Sequence, residues 1–176
     1  MISRPGPGEY APYYEQYVRE VPDGDILQIL AAQNRETQRL LDEIGEKRGG
    51  YRYAPGKWSI KEIIGHITDS ERIFTYRALV FARADTTALP SFEQDDYVRS
   101  GNFEARTLRS LGAELAAVRA AGLALFSSFD RDSIERRGHA AGYEICVRAL
   151  PYIVAGHERH HLNVIHERYM RGMEAA

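Results

Sequence analysis

Apolar residues recur at helical spacing along four stretches of this chain, and they nowhere alternate over a run long enough to build a sheet. The first stretch opens at about Asp25, an N-cap residue type, and runs through Ile26, Ile29, Leu30, Leu40, Leu41 and Ile44 until Gly45, Gly49 and Gly50 end it. The second begins at Ser59, where Ser59-Ile-Lys-Glu62 reads as a capping box. Its apolar positions Ile60, Ile63, Ile64, Ile67, Phe74 and Phe81 carry it to Arg83. A third helix is predicted from about Glu104 to Phe129 on Leu108, Leu111, Leu115, Val118, Leu125 and Phe126, and its Ala-rich stretch 113–124 is explained by helix propensity. The fourth covers roughly Cys146–Arg171, with Pro151 tolerable only near a first turn or at a kink. Four such segments predict an all-α four-helix bundle.

Ahead of them, Met1–Gly24 holds Pro5, Pro7, Pro12 and Pro22 with four tyrosines, which predicts an irregular strap wrapped on the bundle. Two connections, Ala84–Asn102 and Asp130–Ile145, exceed what joining helices requires, and long loops are where function tends to sit. The second of them contains Gly138-His-Ala-Ala-Gly142, small enough for backbone to approach another group closely.

At 176 residues the chain fits one domain, residues 1–176. Lys and Arg number 23 against 25 Asp and Glu, scattered without runs, which argues against nucleic acid or an anionic membrane as partner. The lone Cys146 cannot form an internal disulfide, and the N-terminus lacks the pattern of a secretion signal, so a cytoplasmic protein acting on a small molecule is expected. No stretch approaches 18 consecutive apolar residues, so no bilayer span is expected.

Histidine placement changes this picture. Three of the six lie in Gly156-His-Glu-Arg-His-His161. At about 100° per residue, the apolar face of the last helix centres within roughly 10° of His161 and about 45° of His157. His160 falls about 105° away and His166 about 135° away, at the margin and in water respectively. An i, i+4 pair of imidazoles on one face can share a single ion while leaving positions for a third ligand and a substrate. His66, about 90° from the apolar centre of the second helix, can turn to a neighbour across a seam. His139 has no local support. Glu71 points inward and needs a partner, either a ligand to orient or Arg77 or Arg168 to pair with. An inward histidine taken alone is more often a core residue than a ligand. By default, Asp95, Asp96 and Tyr97 read as solvated loop, Cys146 as a buried small residue, and the arginines of the second helix as surface charge.

Trp58-Ser-Ile-Lys-Glu-Ile-Ile-Gly-His66, Asp69-Ser-Glu-Arg72, Tyr76-Arg77, Leu89-Pro-Ser-Phe-Glu-Gln-Asp-Asp-Tyr-Val98 and Gly156-His-Glu-Arg-His-His-Leu162 together resemble the DinB/YfiT-like superfamily. The resemblance implies a bundle of up-down-down-up course and a three-histidine metal site, carried here onto His66, His157 and His161. It includes thiol-dependent transferases and isomerases using mycothiol or bacillithiol. Three neutral imidazoles with an open position suit Zn, Ni, Fe or Mn. The expectation is therefore one divalent ion and a low-molecular-weight thiol as co-substrate, in a thiol S-transferase or isomerase acting on a small electrophile. A metal-dependent hydrolase using Glu71 or a loop carboxylate as base is the alternative, and a non-catalytic metal-binding stress or sensor protein is the rival from another class. A homodimer is expected from the resemblance and from the prevalence of C2 assemblies. The Ala84–Asn102 loop, anchored by Phe92 and Tyr97 and presenting Gln94, Asp95 and Asp96, is expected at the rim of the metal pocket.

Overall fold

The computed structural model describes residues 2–174; Met1, where the expected strap begins, and the last two residues lie outside them. Asp25 caps the first long helix, α2 (Ile26–Ile44), by accepting from the Leu27 and Gln28 amides, and Gly45 at φ +71° ends it. It is preceded in the strap by a 3₁₀ turn (Pro12–Tyr14) and a four-residue helix, α1 (Glu15–Val18). The strap is thus partly helical. Ser59 and Glu62 form both halves of a capping box at the start of α3 (Ile60–Ala82).

The third long helix starts later than predicted. Glu104 belongs to a 3₁₀ turn, Phe103–Ala105, and α5 spans Leu108–Ser127 because Thr107 Oγ1 caps it by accepting from the Ser110 amide. The last bundle helix, α7, begins at Ala149, which places Pro151 in its first turn, where its missing N–H costs nothing. It continues from Val164 into a π-helical segment (Ile165–Met170) and a final turn, α8 (Arg171–Glu174). A short helix, α4 (Gln94–Ser100), forms within the first long connection, and α6 (Arg131–Glu135) opens the second.

That second connection also holds a feature the pattern did not predict: a two-stranded antiparallel hairpin, β1 (Arg137–Ala140) with β2 (Tyr143–Cys146). Four-residue strands are too short for alternation to register. Their turn, Ala141-Gly142, places both residues at positive φ, the arrangement a two-residue hairpin needs. A Cβ at Gly138 would lie 2.0 Å from the Phe81 ring, so this glycine lets the hairpin lie against α3. The first long connection is tied to the hairpin by Leu89, whose amide donates to the His139 carbonyl while its carbonyl accepts from the Ala141 amide.

Around the bundle, α3 packs on α5 and α7, and α2 packs on the same two helices. Leu108 and Arg109 amides donate to Glu46 just past the end of α2, and Phe103 lies where a Cβ on Gly65 would fall, near the start of α3. The chain therefore crosses back after α3, so α5 restarts at the end where α3 began and runs parallel to it. At that same end Tyr169 donates to the Trp58 carbonyl, which makes α7 antiparallel to α3. The course is up-down-down-up. Among the described residues α5 is the one helix long and apolar enough to cross a bilayer; here it is a bundle helix with a fully buried arginine near its middle.

Two apolar clusters fill the interior. One gathers Leu30, Phe74, Phe81, Phe126, Leu150 and Ile153, and the other Leu40, Ile60, Ile64, Leu111, Leu115 and Ile165. All four long helices carry buried polar residues between these clusters: Gln33 and Thr37, then His66, Thr68, Ser70 and Glu71, then Arg119, and His157 with Glu158. A polar layer thus crosses the bundle at mid-height.

Candidate metal centre

Within that layer α3 contributes His66 and α7 contributes His157 and His161. His157 Nε2 lies 3.1 Å from His66 Nε2 and 3.2 Å from His161 Nε2, and the three donor atoms all fall within 4.8 Å of one another. A tetrahedral ion with Zn–N bonds of 2.0–2.1 Å sets its nitrogens roughly 3.3 Å apart, close to these separations. The chemistry of the donor set points the same way. A neutral imidazole nitrogen offers one in-plane position, either a hydrogen or a lone pair, so His157 Nε2 cannot satisfy both neighbours by hydrogen bonding. A single cation at the point of convergence accepts from all three. The residues fit a divalent metal.

Burial keeps these rings neutral, the state in which they ligate. Desolvation holds His66 down to about 4, and it pushes His157 and His161 well below the ordinary imidazole value with help from the neighbouring imidazoles. Aromatic side chains enclose the group. Trp58 lies 4.8 Å from the His66 ring and 6.4 Å from His161, while Tyr17 and Phe74 meet His157 edge-on at 5.3 and 5.9 Å. Tyr17 reaches that position because Gly156 has no side chain: a Cβ there would lie 2.0 Å from the Tyr17 carbonyl oxygen.

The other histidines add no nitrogen to the convergent group, although the His160 ring lies 5.2 Å from that of His161. His160 is half-buried beside Tyr17, His166 is exposed, and His139 is exposed on β1. Glu71 corrects the expectation: it pairs with neither Arg77 nor Arg168 and orients no histidine. Both its oxygens accept from Arg119, Oε1 from Nε at 2.7 Å and Oε2 from Nη2 at 2.8 Å. Arg119 Nη2 also donates to Glu158 Oε2 at 2.7 Å and Nη1 to the Leu30 carbonyl, while Thr37 donates to Glu158 Oε1. Burial raises the Glu71 carboxyl against the pull of Arg119. For Arg119, burial is outweighed by Glu158 and Glu71, which hold the guanidinium above its ordinary value.

Arg77 is no surface charge either. It is buried, donates to the Pro90 carbonyl and lies 5.8 Å over the Phe74 ring. Arg168 instead sits over Tyr53. Sequence reasoning missed Arg119, although it falls on the buried stripe of α5 at the spacing Leu115, Arg119, Gly122, Phe126, within a run otherwise poor in charge.

Beside the centre opens a cavity of about 370 Å³, lined by His66, His157 and Ser70 at the bundle side. The first long connection contributes Ser91, Phe92, Glu93 and Gln94 to its wall. Asp95, Asp96 and Tyr97 do not line it. They are exposed on α4, with Tyr97 packed on Phe92 at 5.2 Å. A second group of ligand-type atoms, on Glu9, Glu135 and Cys146, is occupied by other bonds. Arg148 pairs with both carboxylates, and the Cys146 thiol, raised by burial, donates to the Ile134 carbonyl.

An up-down-down-up helical bundle with three convergent histidines, two of them buried and the third half-buried, defines a helical fold with a group of side chains that could hold a metal ion. The chain belongs to the DinB superfamily, whose family model matches residues 29–165. Among solved structures it is similar to YfiT from Bacillus subtilis, described as a probable metal-dependent hydrolase with an unusual four-helix bundle topology. That match has a TM-score of 0.75 at 16% identity over 83% of this chain and 85% of that one. The mycothiol-dependent maleylpyruvate isomerase matches with a TM-score of 0.66 at 11% identity, over 82% of this chain and 61% of that one. A DinB-like protein from Bacillus subtilis, YjoA, matches with a TM-score of 0.60 at 20% identity, over 86% and 92%. No curated protein matches by sequence.

Proposed function

We propose that this chain is a metal-dependent enzyme in which His66, His157 and His161 hold one divalent ion and a small thiol is transferred to an electrophile seated in the adjoining cavity. The observation that carries this reading is the convergence of three neutral Nε2 atoms beside a cavity that two of the rings line. A divalent ion in this position supplies the charge that keeps a thiol deprotonated at neutral pH.

The chain's own residues do the rest. Tyr17, Phe74 and Trp58 shield the imidazoles from water, and the cavity wall holds the electrophile in reach of the centre. No cysteine or lysine is among the lining side chains, and the Ser70 hydroxyl has no hydrogen-bonded base to activate it, which favours a nucleophile supplied by a co-substrate. Hydrolysis, the activity ascribed to YfiT, would use a base beside the ion. Glu71 is committed to Arg119, and the carboxylate left among the lining residues is Glu93, exposed at the rim.

Metal analysis of the purified protein, followed by consumption of a cysteine-containing thiol with an aryl halide or epoxide, tests this. The rate should depend on added metal and vanish in His157→Ala; an equal rate in chelator would contradict it.

A further inference from the structure

Three hydroxyl side chains sit along the middle of α3, and two behave as helix hydroxyls usually do. Thr68 Oγ1 donates to the Ile64 carbonyl and Thr75 Oγ1 to the Glu71 carbonyl, each four residues back at 2.7 Å. Ser70 does not. Its residue is 1% exposed, yet its Oγ has no hydrogen-bond partner. It stands one helical turn after His66 and lines the same cavity. A buried hydroxyl left without a partner costs on the order of 1–3 kcal/mol, so its natural partner is a polar atom of whatever fills the cavity.

The remaining wall states what that molecule is. Tyr13, Tyr14 and Tyr17 come from the strap, Phe74 from α3, Phe92 from the first long connection and Tyr143 from the hairpin. Six aromatic rings from four separate elements make a slot for a flat apolar body. Tyr13 and Tyr143 are exposed and form its mouth. No Lys or Arg lines the cavity and its one carboxylate is the exposed Glu93, so in the metal-free chain no lining side chain pairs with an anion. The volume falls within the range of small-molecule sites, roughly 300–1,000 Å³.

We propose that this cavity is a subsite for an uncharged aromatic molecule whose polar atom is met by Ser70 Oγ at the inner end. This deepens the metal-enzyme reading, on which it rests for its place in the reaction, by naming the substrate class. Affinity for the ring system itself needs no metal and can be measured separately.

Isothermal titration of the full, chelator-treated chain with 2-naphthol, 2-naphthoate and 2-naphthylmethylammonium distinguishes the charge classes. One equivalent of 2-naphthol should bind at least tenfold tighter than either ion. Ser70→Ala should weaken 2-naphthol about tenfold, the equivalent of one hydrogen bond, without lowering the melting temperature. Phe92→Ala, a change at the rim outside the core, should weaken it several-fold. Tighter binding of the naphthoate or the ammonium, no binding of 2-naphthol, or unchanged affinity in Ser70→Ala would each overturn the proposal. A chain that binds 2-naphthol through Ser70 but takes up no metal would retain this subsite and lose the metal-enzyme reading. Stoichiometric metal without 2-naphthol binding would do the reverse.

Discussion

Two polar clusters share the layer between the apolar cores, and they are built from neighbouring residues: Glu71 follows Ser70, and Glu158 follows His157. The Arg119 cluster is closed. Its guanidinium serves two carboxylates and a backbone carbonyl, and Thr37 takes a further carboxylate position. The histidine cluster is open, with three nitrogens converging on one point and an unpartnered hydroxyl beside it at a cavity. Successive helix residues diverge by about 100°, so a single turn of α3 or α7 gives one side chain to the scaffold and the next to the centre. A polar group satisfied on all sides holds the bundle in register. A polar group left with capacity toward a cavity is available for chemistry.

The comparison breaks most visibly at Arg119. Arg119→Met leaves two carboxylates buried without their cation and should destabilise the fold by about 3–5 kcal/mol, read by urea denaturation. A loss under about 1 kcal/mol, within the range of exposed ion pairs, would remove this network from the scaffold. A smaller effect is expected at Gly156, where the strap rests on α7. Gly156→Ala must displace the Tyr17 backbone and should cost about 1–3 kcal/mol as an overpacking change, with loss of the aromatic wall beside His157. Unchanged thermal stability together with unchanged Tyr17 packing would contradict the contact.

Much of this was legible in the sequence. Asp25 and the Ser59–Glu62 capping box mark helix starts through local hydrogen bonding, and the face angles of the last helix single out His157 and His161, the two that converge with His66, although His157 is the more buried and His161 is half-buried like His160. Helical periodicity, however, reports which way a side chain points and not what it meets. Glu71 was seen to need a partner, but the partner lies 48 residues away on α5, and no local signal joins them. The hairpin escaped because its strands are shorter than a pattern can reveal. The later start of α5 escaped because a cap such as Thr107 leaves no mark in apolar periodicity, and the stripe itself begins only at Leu108. Ser70 carries no sequence signal; its distinction from Thr68 and Thr75 is the hydrogen bond it does not make.

The smallest expected effect contrasts both buried clusters with an ion pair near the surface. Arg52 pairs with Glu62, which also accepts from the Ser59 amide. Burial tends to raise the Glu62 carboxyl, but the bonds from Arg52 and Ser59 outweigh it and hold the group below its ordinary value. Its contribution to stability is therefore present above the unfolded-state value and is lost as pH falls through the lowered one. Glu62→Gln should cost about 0.5 kcal/mol near neutral pH, solvent screening keeping it small, and the two proteins should converge in acid. A difference that persists undiminished at pH 2 would contradict that origin.

The central claim is that the open cluster is a metal centre made by His66, His157 and His161. Equilibrium dialysis against zinc with elemental analysis, run on the wild type, His157→Ala and His160→Ala, tests it most directly, with circular dichroism before and after chelation to show that the bundle keeps its helicity on its own core. The account predicts one ion per chain in the wild type and in His160→Ala, and none in His157→Ala. Equal loss in both variants, or one ion retained in His157→Ala, would contradict it.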